Sequence, residues 1–159
     1  MTQKWVYALI ASLATIFLTT FYITQIHNIP VQQFAVQEDI FLTEYIIDGL
    51  HLEIVEQPED RYKGLGSRLH MLDTEAMLFV FPELDRHGIW MKDMHFAIDI
   101  IWLDADGVIV DISTEISPET YPEIFYPQSK SLYVLECTSG CVTRYGFDIG
   151  ERILKHVEK

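Results

Sequence analysis

One lysine and two aspartates stand inside the run Trp90-Met-Lys-Asp-Met-His-Phe-Ala-Ile-Asp-Ile-Ile101, among side chains that otherwise belong in a core. An unpaired buried charge is costly, so charges in such a run are either satisfied or put to use. If the run is extended, Trp90 and Lys92 point to one side and Met91 and Asp93 to the other. Lys92 then has two roles open to it. It can pin strands together by pairing with Asp99 or with Glu136, which closes the apolar stretch Leu132-Tyr-Val-Leu135. Alternatively, it can offer its ammonium to an anionic or carbonyl ligand, with Trp90 as a stacking face; Arg68 either joins this cluster or faces solvent. Asp99 and Glu136 also suggest an acid/base pair, since burial raises one carboxyl pKa while a neighbouring cation lowers the other. A glycoside-type hydrolase would need them about 5–9.5 Å apart across one cleft.

Other chemistries find less support. His87, Asp93 and His95 lack the helical spacing that brings two imidazoles onto one metal, so no metal site is assigned. Ser67, Ser113, Ser129 and Ser139 lack a nucleophile-elbow setting, and no glycine-rich loop is present to cradle a phosphate, so no cofactor is expected. Cys137 and Cys141 are four residues apart, which is neither a redox C-x-x-C nor half of a zinc site. Two small buried thiols are the plainer reading, and a local disulfide is open to them in an oxidising compartment.

The elements that must position these residues are short. Phe41–Ile47, the Asp48-Gly49 turn and Leu50–Val55 read as a hairpin with Leu50, Leu52 and Ile54 on one face. Pro58 to Leu65 reads as a short helix, with Pro58 in its first turn and Gly64 stopping it. Met77–Phe81 reads as a buried strand ended by Pro82, and Ile89–Met91 and Ala97–Leu103 as further strands. Asp104 to Gly107 is a turn into the strand Val108–Ile112. Ser113–Gln128 carries three prolines and reads as a loop. Ser131–Glu136 is a strand, Thr138–Tyr145 a short helix capped by Gly146, and Ile153–Val157 a last strand. This pattern predicts a compact α+β domain, mostly antiparallel, as a partly closed β-barrel with two short helices.

Trp5–Ile26 is a different kind of segment: 22 residues without a charge, 16 of them aliphatic or aromatic. As a helix it spans about 33 Å, enough for a hydrocarbon core of about 30 Å. It is longer than a typical signal-peptide core, and no small-x-small site follows it, so it reads as an uncleaved signal anchor, with secretion after cleavage as the alternative. Lys4 favours a cytoplasmic N-terminus. The expected order is a cytoplasmic stub 1–4, a single membrane span 5–26, a linker 27–37 and an extracytoplasmic domain 38–159. Residues 28–159 carry 10 Lys and Arg against 24 Asp and Glu, a formal charge of −14. Such a surface repels nucleic acid, which is excluded as a partner.

Gly64-Leu65, the run Met77-Leu-Phe-Val-Phe81, Trp90-Met-Lys92, Asp99 and Val134-Leu-Glu136 follow one another as do the motifs of the UPF0127 (DUF192) family, which this chain resembles over about Leu50–Ile153. Lys92, Asp99 and Glu136 stand where that family's charged motif residues stand. Departures occur at Gly66 for Met, Ala76 for Gly, Asp93-Met94 for Asn-Thr, Ala97 for Pro and Glu151 for Asp. The resemblance implies a site near Trp90, Lys92, Asp93, Asp99 and Glu136, and it brings no reaction with it. The expectation is a binding module for a small molecule, an envelope glycan or a partner protein, with the hydrolase as the alternative.

Overall fold

The computed structural model describes residues 43–158. The apolar segment 5–26 and the linker 27–37 lie outside them. Among the described residues no helix is long and apolar enough to cross a membrane.

Nine strands and two short helices form the domain: β1 Thr43–Ile46, β2 His51–Val55, α1 Pro58–Lys63, β3 Glu75–Asp85, β4 Ile89–Trp90, β5 Ile98–Leu103, β6 Ile109–Ile116, β7 Ile124–Phe125, β8 Ser131–Thr138, α2 Cys141–Tyr145 and β9 Lys155–Glu158. Five strands make one sheet in the order β2-β3-β8-β5-β6, with β2 parallel to β3 and the other pairs antiparallel. β1 pairs with β9, and β4 with β7, in two small ribbons. The sheet is therefore open, with β2 and β6 as its edges, and the partly closed barrel expected from the strand pattern is not formed.

Alternation along the strands sends side chains to two cores. Ala76, Leu78, Ile101, Leu103, Tyr133 and Leu135 pack on one face with Cys141, Phe147 and Leu154. Met77, Phe79, Ile98, Ile100, Trp102 and Val134 pack on the other with Leu65, Ile89 and Met91. Because both faces are covered, every residue of β5 is buried, which explains its unbroken apolar sequence.

Several local expectations change. Asp48-Gly49 does make a turn, with the Leu50 amide donating to Ile47 O at 3.1 Å. The flanking strands then diverge, because each pairs along its length with another strand, β1 with β9 and β2 with β3. β3 runs on through Pro82, where its pairing with β8 shifts register between Val80 and Asp85; a bulge tolerates the missing N–H. The segment 113–128 is only partly loop, since β6 extends to Ile116 and Ile124–Phe125 pairs with β4. Lys92 and Asp93 leave the strand and form a turn, with the Met94 amide donating to Met91 O. Asp104–Gly107 turns as expected: Asp104 Oδ1 accepts from the Asp106 and Val108 amides, and Gly107 has φ +75°.

Cys137 and Cys141 are joined in a disulfide, their Cα atoms 6.1 Å apart, so the two-thiol reading is corrected. The thiols meet because β8 ends where α2 begins, one helical turn later. Asp99 reinforces the same corner. It is fully buried, its Oδ1 accepts from the Glu115 amide at 2.9 Å, and its Oδ2 accepts from the Val142 amide at 3.0 Å. Glu115 itself has φ +56°, so Asp99 holds a distorted end of β6 and the first turn of α2 together. Asp99→Ala leaves two backbone donors without their acceptor, at about 1–3 kcal/mol each. We expect chemical denaturation to show a loss of about 2–6 kcal/mol for Asp99→Ala and a smaller loss for Asp99→Asn, which keeps one acceptor oxygen.

Candidate functional site

The site is built on the face of the sheet that carries Phe79, Trp102 and Val134. Strand register sets Glu53, Met77, Glu136 and Ile100 side by side across β2, β3, β8 and β5. Glu136 thus lies in the middle of the sheet between two apolar neighbours, 5% exposed. Burial pushes its carboxyl up to about 8, and the nearby Arg68 guanidinium only partly offsets this. Desolvation wins because Arg68 is committed elsewhere: its two terminal nitrogens donate to the Glu53 carboxylate at 2.7 and 2.6 Å. That pairing holds the Glu53 carboxyl below its ordinary range. Among the described residues, no hydrogen bond or ion pair engages the Glu136 carboxyl. At neutral pH it is a protonated acid, able to donate one hydrogen bond and accept another.

Above Glu136 opens a cleft of about 290 Å³. α1 and the turn after it form one wall, and β4 with the Lys92 turn forms the other. Phe79, Phe81 and Met94 line it with Trp90, Lys92 and Tyr62. The Tyr62 and Trp90 rings meet edge to face at 5.6 Å, and Trp90 meets Tyr121 in the same way at 6.2 Å. The Lys92 ammonium donates to the Tyr62 hydroxyl at 2.9 Å and lies 4.7 Å from the Tyr62 ring centroid and 5.8 Å from that of Trp90. The Tyr62 hydrogen bond raises the Lys92 pKa, and the ammonium remains open to solvent. It forms no ion pair with Asp99 or Glu136, so the strand-pinning role is not the one observed.

The two walls are held together by backbone. The Ser67 amide donates to Asp93 O at 2.7 Å, and Gly66 lies so close to the Lys92 turn that a β-carbon there would be 2.8 Å from Lys63 O and 3.2 Å from Lys92 O. A methionine at position 66 would force the turn after α1 to shift and would press on the Lys92 turn. Asp93 has φ +57°, a conformation that Asn and Asp tolerate better than most residues. Its exposed side chain is not part of the cleft lining; its place in the motif is explained by the turn.

Of the residues singled out in the sequence, the fold brings Trp90, Lys92 and Glu136 to one cleft and sets Arg68 beside it. Asp99 is not among them. It lies opposite Cys137, whereas Glu136 lies opposite Ile100, so the two carboxylates point to opposite faces of the sheet. Asp99 and Glu136 cannot act on one substrate, and the hydrolase built on them is withdrawn. Tyr62, Arg61 and Phe81 were missed; α1 was readable, but its inward face depends on where the helix docks. His87 stacks on Phe81 with ring centroids 3.6 Å apart, and its carbonyl accepts from the Trp102 indole at 2.8 Å, which is a packing role. Among the described residues no three His, Cys, Asp or Glu side chains are placed to hold a metal ion.

An open mixed sheet covered on both faces, with a cleft over a buried acid, defines a pocket-bearing α+β domain. The model of the family DUF192, described as an uncharacterized ACR, matches residues 41–154, and the chain belongs to that family. Two solved structures are similar. One, from Sinorhizobium meliloti 1021 and described as a candidate transcription regulator, is 29% identical, with 72% of this chain and 91% of that one covered and a TM-score of 0.64. The other, a protein of unknown function from Novosphingobium aromaticivorans DSM 12444, is 26% identical, with 67% and 74% covered and a TM-score of 0.62. No curated protein matches.

Two measurements check this electrostatic picture. Glu136 has a higher pKa folded, about 8, than unfolded, where a glutamate carboxyl titrates near 4.5. The folded state therefore holds an extra proton between these values, and stability falls as pH rises through that window, by about 1.4 kcal/mol per unit at most. Denaturation at pH 5, 6.5 and 8 is expected to show this loss in the native chain and a flatter profile in Glu136→Gln. Lys92→Met removes a solvent-facing charge without stranding a carboxylate, so its midpoint at pH 7 is expected within about 0.5 kcal/mol of the native value.

Proposed function

We propose that this chain is a membrane-anchored binding module whose extracytoplasmic domain takes a small molecule in the Trp90–Lys92–Glu136 cleft. The observation that carries the reading is Glu136, a buried carboxyl without a partner among the described residues, set at the base of an open cleft. A protein gains no stability from such a group, so its presence there is explained by a ligand that completes its hydrogen bonds. The aromatic walls supply apolar contact area, and Lys92 and Glu136 fix orientation, which is the usual division in ligand sites. The volume suits a compact molecule or a single sugar unit. Larger glycans and protein partners fit a cleft of this size less well.

The placement outside the cytoplasm has separate support. Trp5–Ile26 is long and apolar enough to span a bilayer. The Cys137–Cys141 disulfide suits an oxidising compartment. If residues 5–26 are an anchor, the chain stays with the membrane pellet after carbonate extraction, and protease added to intact cells degrades the domain. Release into the supernatant would favour cleavage and secretion instead.

Binding is tested by thermal melting of the full chain against sugars, envelope fragments and amino acids. A ligand at about 100 times its dissociation constant adds about 2.7 kcal/mol, a shift of several degrees for a domain of this size. The expected result is a shift for one chemical class that Lys92→Ala and Glu136→Gln both diminish. A shift indifferent to both substitutions would place the ligand elsewhere, and no shift from any compound would defeat the reading.

A further inference from the structure

The charges around the cleft run against those of the rest of the chain. The whole sequence has 24 acidic and 11 basic residues, and most of its described cations are neutralised locally. Arg68, Lys130, Arg144, Arg152 and Lys155 each have a carboxylate within 4 Å. Among the described residues, the basic side chains without such a carboxylate are Arg61, Lys63, Arg86 and Lys92. Arg86 donates to Pro127 O at 2.6 Å, away from the cleft. The other three, Arg61, Lys63 and Lys92, all line it. A chain with a twofold excess of acids thus leaves its three cleft cations without an ion pair among the described residues, Asp93 and Glu53 acting on Lys92 and Lys63 only from a distance, and the one acid in the lining, Glu136, is uncharged at neutral pH.

This inference rests on the binding reading above and narrows it. We propose that the cleft receives a small organic carboxylate, its negative charge near Lys92 and the Glu136 carboxyl, its apolar body against Trp90 and Phe81. The apolar lining suits a carboxylate with a hydrophobic body better than a phosphate, which is hydrated on every side. Arg61 is engaged in donating to the Glu56 and Val80 carbonyls and lies over the Phe81 ring, 5.1 Å from its centroid. Its charge is felt in the cleft, and its Nη1 is taken up by these two backbone carbonyls. Lys92 can donate one hydrogen bond to the ligand and keep its Tyr62 contact. Protonated Glu136 can donate its O–H to a carboxylate oxygen, a charge-assisted bond that also satisfies the buried acid. The apolar lining favours a ligand with a hydrophobic side over a fully hydrated anion such as acetate.

The groups facing Glu136 define how this binding responds to pH. Arg68 follows the turn after α1, Glu53 lies on β2 in the same row, Tyr62 and Lys63 come from α1, and Lys92 comes from the turn after β4. The flanking residues on β3 and β5, Met77 and Ile100, do not titrate, and Glu75, two positions before Met77 on β3, acts on Arg68. Glu136 is the group in this set that changes charge near pH 8. Once ionised it repels a bound carboxylate, so affinity falls as pH rises through that value.

The test is an NMR titration of the full chain in neutral detergent with four probes: benzoate, benzamide, benzylamine and inorganic phosphate. We expect benzoate to shift the Trp90 indole and Lys92 signals with an affinity of about millimolar, reasonable for so small a ligand. Benzamide and benzylamine should bind about tenfold more weakly or not at all, which is the factor expected for one charge-assisted bond. Lys92→Gln should remove that preference. Glu136→Gln, which replaces the acid's O–H with a weaker amide donor, should reduce benzoate binding at pH 7 without abolishing it and should remove its decline above pH 8. If benzamide or benzylamine shifts the same signals as strongly as benzoate, the cleft is a binding site but not one for anions. Equal or stronger binding of inorganic phosphate would overturn the requirement for an apolar body. If no probe shifts these signals, the carboxylate proposal falls, and the melting screen decides separately whether another class of ligand binds.

Discussion

Everything at the candidate site depends on one carboxyl being carried into the middle of a sheet. β8 is the central strand, hydrogen-bonded on both sides, and Glu136 is flanked across it by Met77 and Ile100. At that depth the ionised form loses its hydration, and a single guanidinium already bound to Glu53 cannot replace it. The acid keeps its proton instead. That outcome costs the domain stability as pH rises from the ordinary carboxylate range toward 8, and it leaves a donor and an acceptor facing a cleft, where a hydrophobic residue would have sealed the floor.

The rest of the fold then serves to hold two walls over this floor. One wall is α1 with its following turn, packed through Leu65 onto the sheet; the other is β4 with the Lys92 turn, packed through Ile89 and Met91. Their junction is backbone against backbone at Gly66 and Asp93, a contact too close for larger side chains or for easy rearrangement. Lys92 is aimed by Tyr62 from the opposite wall, so the cation, the aromatic faces and the acid come from three separate elements. On the far face, Asp99 and the Cys137–Cys141 disulfide tie the end of β8 to α2 and β6. Two buried acids in adjacent strands thus do unrelated work. Asp99 meets backbone N–H groups and is satisfied, whereas Glu136 meets a cleft and is left available.

Much of the architecture was legible in the chain because strand and turn signals are local. The buried run of β5, the stop at Gly64, the turn at Asp104–Gly107 and the capping Gly146 all follow from short-range chemistry that neighbours only reinforce. Pairing was less legible. Asp48-Gly49 makes its turn, yet β1 and β2 leave each other for β9 and β3, because a turn dictates direction and the burial of both strand faces dictates partners. Pro82 marked a strand end by its missing N–H, but a register shift absorbed it. The open sheet, where a barrel was expected, has the same origin: edge closure is a property of all strands at once.

By itself the sequence determined the family, most of the element types, the acidic composition and the segment that carries much of the candidate site. It could do so because motifs, composition and periodicity are carried by residues near one another in the chain. Only the tertiary structure decided which of the marked charges share a site. Lys92 and Glu136 come together with Trp90 from positions 44 residues apart, while Asp99, seven residues from Lys92, faces the other way. The physical reason is strand parity combined with register: a shift of one position sends a side chain to the opposite face, and that register is set by long-range packing.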